Sequence, residues 1–180
     1  MYPAESNNEL LQCFDESGKP TEIRIRSEVK QLPLRYRYAV ARIWLINDAG
    51  QIMCSKRGKG VSNEGKWQTY FGGHVGAGLS IKEVAKIELE EEAGVKRSLE
   101  DFYLIEKGYL PERKIFFESY AVKFNGDVAD LSLCSREIAG VKWMDMDTYW
   151  NEKERNPDNW CAPCSLENQK MIHKWLKLVS

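Results

Sequence analysis

The chain has 180 residues, 43% of them hydrophobic, and sets 26 Lys plus Arg against 27 Asp plus Glu for a formal net charge of −1. That size and composition suit a single globular domain over residues 1–180. The charge balance excludes a generic binder of nucleic-acid polymers or of membrane surfaces, because both need a surplus of Lys and Arg. The apolar run Tyr38 to Ile46 is broken by Arg42 and falls far short of the roughly 18 residues of a membrane span. The first residues carry neither the basic start nor the apolar stretch of a signal peptide. Five cysteines, Cys13, Cys54, Cys134, Cys161 and Cys164, are an odd number in a chain large enough to build a core without staples. Reduced thiols and a cytoplasmic location are expected.

In chain order, Leu10 to Phe14, the turn Asp15-Glu16-Ser17-Gly18 and the alternating Thr21 to Arg26 predict a hairpin within an N-terminal extension, residues 1–35. A connector from Glu28 to Leu34 leads into the core, residues 36–150. There Tyr36 to Ile46, rich in aromatic and β-branched residues, predicts a strand, Asn47 to Gly50 a turn, and Gln51 to Lys56 a return strand forming a second hairpin. Gly58 to Gly78 holds seven of the thirteen glycines and reads as loop or as strand with close backbone approach to a ligand. Ser80 to Glu92 predicts a helix, with Ser80 and Glu83 as a capping box and Gly94 as its stop. Strand character returns at Phe102 to Leu104, Lys114 to Phe124 and Val141 to Met144. The remaining residues, 151–180, divide into a polar loop from Asn151 to Cys164 and a helix from Ser165, with Leu166, Ile172, Trp175, Leu176 and Val179 on one stripe. The fold class is mixed α/β.

The helix over 80–92 departs from the pattern of a surface helix. At roughly 100° per residue, Ile81, Val84, Ala85 and Leu89 share one face, and Glu88, Glu91 and Glu92 turn toward that side while Glu90 lies opposite. A solvated acidic face would show the reverse. Like charges three and four residues apart cost roughly 0.2–0.5 kcal/mol per pair even when exposed, and burial adds to this. A hard divalent cation turns that liability into a site, since converging carboxylate oxygens suit Mg²⁺ or Mn²⁺ with phosphates completing the shell. Gly72 and Gly73, just before the helix, let the main chain approach a ligand where a Cβ would collide.

These residues resemble the Nudix hydrolase signature. Gly73 stands at its first glycine, and Glu88-Leu89-Glu90-Glu91-Glu92-Ala93-Gly94-Val95 matches its tail without a gap. Two positions depart from it: Leu79 replaces a glutamate, and Ile87 replaces the arginine that orients the metal-binding glutamates in the family. The resemblance implies a Nudix-type α/β/α sandwich around a mixed β-sheet and Mg²⁺-dependent hydrolysis of a small, nucleotide-derived diphosphate. It also implies that the Gly72 carbonyl, Glu88, Glu91 and Glu92 hold metal, with the same three glutamates as the catalytic set. A carboxylate outside the helix often completes such sites, and Glu137 is named first, Glu118 second; a solvent-exposed glutamate is the alternative for each. Dimers are common in the family. The leading hairpin and the connector Leu34-Arg35-Tyr36-Arg37 are similar to the branch that includes isopentenyl-diphosphate isomerase. The cysteine and histidine that the isomerase needs are missing from Thr69 to Gly73 and from Leu34 to Arg37, so a hydrolase of that branch is expected. The rival expectation, motivated by Leu79 and Ile87, is a Nudix-fold module that binds a nucleotide without turnover.

For substrate phosphates the candidates are Arg57 and Lys56 with Arg35, Arg37 or Arg42, since an arginine fork fits phosphate oxygens. Lys56 and Arg57 are neighbours on a strand and face opposite sides, and Arg57 is chosen. Gly73 and His74 are the other substrate candidates, with a structural loop histidine as the alternative for His74. Cys161-Ala162-Pro163-Cys164 has metal or redox spacing but only His173 for company, which favours incidental thiols. Trp67, Tyr70 and Phe71 read as core in preference to a base-stacking set.

Overall fold

The computed structural model describes residues 7–161, 170–172, 174, 175 and 177. Its centre is β3 (Arg37–Ile46), whose alternation places Ala39, Ala41, Ile43 and Leu45 in one core and Trp44 and Ile46 in another. β7 (Ile115–Lys123) runs parallel to β3 along its whole length, from Tyr38 opposite Ile115 to Ile46 opposite Lys123. β6 (Tyr103–Leu110) pairs antiparallel on the far side of β7.

The other edge of β3 is shared. β1 (Leu10–Phe14), hairpinned with β2 (Pro20–Ile25), takes its first two residues. The expected hairpin with β4 (Ile52–Arg57) survives only as the pair Ile46 and Ile52. Between them the segment after β5 (Trp67–Gln68) inserts antiparallel to β3, with bridges from Ile43 to Phe71 and from Val40 to His74. Backbone bonds from Ile43 to Phe71 and from Ala41 to Gly73, at 2.8 and 2.9 Å, leave β4 no partner on β3 there. β4 instead pairs with β5 and with β8 (Ile138–Met144).

Helix α2 (Ile81–Ala93) covers the first core. Ser80 and Glu83 form the expected capping box and Gly94 closes the helix with φ +72°. Val84, Ala85, Leu89 and Ala93 are buried against β3, and Leu79 and Ile81 pack on the same cluster. The second core lies on the opposite face under α3 (Met146–Arg155), where Met146 and Tyr149 meet Trp160. This gives the α/β/α sandwich of the sequence reading. Residues 151–155, expected as loop, belong to α3: the helix starts before that polar stretch, and two buried side chains, Met146 and Tyr149, are enough to dock it. The expected final helix begins among residues outside the described ones. Ile172 and Trp175 within it are buried in the second core, while Leu166, Leu176 and Val179 lie outside the described set.

A short helix, α1 (Arg26–Val29), follows β2 and seats Val29 against Leu11, Cys13 and Tyr38. The N-terminal extension is thereby packed onto the start of β3. Cys13, Cys54, Cys134 and Cys161 are free thiols; Cys164 and His173 lie outside the described residues. No helix among the described residues is long and apolar enough to cross a membrane.

Candidate functional site

Even-numbered residues of β3 and of the segment from Gln68 to His74 face away from α2, as the two-residue strand repeat requires. They floor a cleft of about 560 Å³ whose lining includes Tyr38, Val40, Arg42, Gln68, Tyr70, Gly72 and His74. Glu88 and Glu91 of α2 reach the same cleft, as do Glu137 just ahead of β8 and Arg57 at the end of β4.

The glycine pair is what lets them in. A Cβ on Gly73 would lie 2.0 Å from Oε1 of Glu88, so the carboxylate occupies the space a side chain there would fill. A Cβ on Gly72 would lie 2.1 Å from the Ala41 carbonyl oxygen, and its φ of +142° is a conformation that favours glycine. The Gly72 amide donates to Oε2 of Glu92 at 2.9 Å, binding strand to helix. Glu92 is only 1% exposed, and its other oxygen, Oε1, is buried without a hydrogen-bond partner.

Burial of this kind penalises the ionised form. It pushes the Glu92 carboxyl well above the ordinary carboxylate range; the neighbouring charge of Glu88 adds to the rise and the Gly72 amide opposes it. Burial also drives the Glu88 carboxyl up to about 8, assisted by the charges of Glu137, Glu91 and Glu9. Like-charged carboxylates that raise one another's pKa in a cleft are an arrangement expected at functional sites. Among the described residues, no three His, Cys, Asp or Glu side chains stand together so as to hold a metal ion between them. The donor set nonetheless suits a hard cation: carboxylate oxygens only, one of them unsatisfied, and mutual repulsion for a positive charge to relieve.

The sequence candidates divide accordingly. Glu88, Glu91, Glu137, Gly72, Gly73, His74 and Arg57 all line the cleft, and Glu92 lies beneath it. Glu91 is exposed, so the expectation that it turns toward the apolar side holds only as far as the cleft rim. Glu118 does not line the cleft; it accepts a hydrogen bond from the Tyr120 hydroxyl. Lys56 is directed to the ring of Trp67, 5.9 Å away, as expected for the opposite pleat from Arg57. Arg57 itself is 8% exposed and donates to Ser62, from Nε to the carbonyl at 3.0 Å and from Nη2 to the hydroxyl at 3.2 Å. His74 stacks on Tyr38 with ring centroids 5.7 Å apart. Burial, with the nearby charges of Lys30, Arg26 and Arg57, holds its pKa well below the usual value, so the imidazole is neutral.

Sequence reasoning missed a wall of the cleft. Glu9, Arg26 and Lys30 of the N-terminal extension line it, and Arg26, 6% exposed, is held by Glu9 at 3.0 Å. Nothing in the local pattern of a hairpin and connector signals which long-range surface they meet. The far end is closed by Lys153, Trp160 and Cys161, where Lys153 Nζ donates to the Cys161 carbonyl at 3.1 Å.

Comparison with known proteins agrees with this fold. Among solved structures, DR0079 from Deinococcus radiodurans superposes with a TM-score of 0.70 at 18% identity, covering 92% of this chain and 98% of that one. A MutT protein from Methanosarcina mazei Go1 gives 0.55 at 16% identity over 79% and 95% of the two chains. An Ap4A hydrolase from C. elegans gives 0.50 at 16% over 78% and 97%. At these identities the likeness is one of fold. None of the curated proteins compared with the chain by sequence matches it. The NUDIX domain model matches residues 35–162, which take in β3, the glycine pair, the whole of α2 and Glu137, and the chain therefore belongs to the NUDIX domain family.

Proposed function

We propose that this Nudix-type hydrolase uses Mg²⁺, with Mn²⁺ as a substitute, to cleave a diphosphate bond in a small nucleotide-derived substrate in the cytoplasm. The observation that carries the reading is the convergence of Glu88, Glu91 and Glu137 on one cleft over the buried, half-satisfied Glu92. The Gly72 carbonyl, Glu88, Glu91, Glu92 and Glu137 would hold the cation, which supplies charge neutralisation for the diphosphate and an activated water.

The chain's own residues divide the remaining work. Glu92 fixes the glycine strand through the Gly72 amide, which sets how close the backbone comes to the substrate. Gly73 keeps that surface free of side chains, so that Glu88 faces the phosphates directly. The positive charge of Arg57 is held close to the carboxylates, while its N–H groups brace the loop at Ser62. Neutral His74 offers a hydrogen-bonding edge without adding charge.

The test is release of phosphate or monophosphate from a panel of nucleoside diphosphate derivatives with Mg²⁺ and with Mn²⁺. Turnover that vanishes with chelator and falls in Glu92→Gln supports the reading. Glu92→Gln with full, metal-dependent turnover removes Glu92 from the site. A second reading follows from Leu79, which packs on the core where the family has a glutamate. It is a binding module, recognised by ligand-induced thermal stabilisation without turnover on any substrate.

A further inference from the structure

Several of the cations that line the cleft are committed to protein partners, while Lys66 and Arg113 line it as well. Arg26 is held by Glu9, Arg57 by Ser62, and Lys153 by the carbonyls of Pro157 and Cys161. Arg42 is different. Its guanidinium lies 4.4 Å from the ring centroid of Phe117 and 5.5 Å from that of Tyr70. Among the described residues it makes those ring contacts and neither donates a hydrogen bond nor forms an ion pair. Arg42 is half-buried and lines the cleft, and among the described residues its guanidinium donors have no acceptor.

Its position in the sheet is equally specific. The bridges from Ile43 to Phe71 and from Val40 to His74 set a register in which Arg42 stands opposite Gly72. The fork is therefore one strand away from the backbone that carries the proposed cation site, and it shares the cleft face with that site. A planar guanidinium stacked on aromatic rings is restricted in orientation yet keeps its edge N–H groups available, which is the geometry for gripping two oxygens of one phosphate. An arginine without an acceptor in a partly desolvated cleft carries a cost that an anionic ligand removes.

We propose that Arg42, aligned by Phe117 and Tyr70, is the direct phosphate-gripping residue of the cleft, binding non-bridging oxygens of the substrate diphosphate opposite Gly72. This rests on the diphosphate reading above and changes the assignment within it: Arg57 contributes charge and loop support, and Arg42 makes the fork contact. Phe117 is then a positioning residue, acting through the guanidinium.

The experiment measures binding of inorganic pyrophosphate with Mg²⁺ by calorimetry, alongside KM and kcat on whichever diphosphate the wild type turns over. Loss of a charge-assisted hydrogen-bond pair predicts pyrophosphate binding roughly 10- to 100-fold weaker in Arg42→Ala, with KM rising in step. Arg42→Lys, which keeps stem and charge but not the fork, should fall between the two and covers the case in which the alanine variant does not fold. Phe117→Leu should weaken binding several-fold, whereas Lys19→Ala, on an exposed residue outside the cleft, should leave it unchanged. Pyrophosphate binding by folded Arg42→Ala or Arg42→Lys equal to that of the wild type overturns the inference, as does a wild type that binds no pyrophosphate. Binding that depends on Arg42 in a protein that hydrolyses nothing leaves this inference standing and removes the hydrolase reading.

Discussion

Glu92 and Gly72, twenty positions apart in the chain, meet through a hydrogen bond of 2.9 Å from the glycine amide to Oε2, and this contact fixes the distance between helix α2 and the glycine strand. Oε1 of the same carboxylate has no partner. One oxygen is structural, and the other is the one proposed to meet the cation. Glu92→Gln keeps the shape and an acceptor for the amide, so the folded state should survive. On the proposed cation site, turnover should drop by two orders of magnitude or more, since the variant takes a charge away from it. Circular dichroism with steady-state kinetics checks both halves.

Gly73→Ala tests the window itself. The added Cβ would lie 2.0 Å from Glu88 Oε1, so the carboxylate has to move, and a shift of about 1 Å at a reacting group can cost on the order of 100-fold in rate. The Gly73 carbonyl still accepts from Ala41, and the register of the strand is kept. The expected result is a folded protein with kcat down about 100-fold and cation affinity weakened. Wild-type kcat in Gly73→Ala would show that Glu88 does not depend on this gap.

The raised carboxyls give the cation-free protein a pH signature. Glu88 is near 8 in the folded state against an ordinary value of 4.5, so between those limits the folded state binds more protons than the unfolded one. Stability then falls as pH rises from about 4.5 through 8, because the slope follows the proton excess of the unfolded state, which is negative here. Glu92 is shifted in the same direction. A cation binds the ionised form, so Mg²⁺ or Mn²⁺ should raise the melting temperature more at pH 8.5 than at pH 6. Scanning fluorimetry across that range, with and without the ion, reads the effect directly.

What the sequence made legible was local. The capping box at Ser80, the stop at Gly94 and the inward turn of Glu92 follow from spacing within a single helix, and the structure has all three. The opening of the hairpin after Ile46 is not local, because it depends on the Phe71 to Val75 segment competing for the edge of β3. The same limit explains the choice between Arg42 and Arg57: both line the cleft, but only the fold shows that Ser62 occupies one and aromatic rings support the other. α3 was hidden because its anchoring residues, Met146 and Tyr149, precede the polar stretch that reads as loop.

The N-terminal extension lies outside the residues matched by the family model, yet it supplies a cleft wall through a nearly buried ion pair. Arg26 is 6% exposed, and its Nη1 lies 3.0 Å from Glu9 Oε2. Removing the carboxylate by Glu9→Ala strips a charged partner from a buried guanidinium, which is costlier than losing a surface pair. Because the Glu9 side chain keeps about a quarter of its exposure, the expected loss is about 2–3 kcal/mol, below the full penalty for a sealed pair. Backbone bonds from Arg26 to Glu9 and from Ser27 to Asn7 hold the segment in place independently of the side chains, so the extension should stay docked. Glu9 also raises Glu88, so its removal should bring the Glu88 carboxyl down toward the ordinary range. Urea denaturation measures the first effect, and the pH dependence of cation binding measures the second. A variant with unchanged stability and an unchanged pH midpoint would mean that the extension flanks the cleft without acting on it.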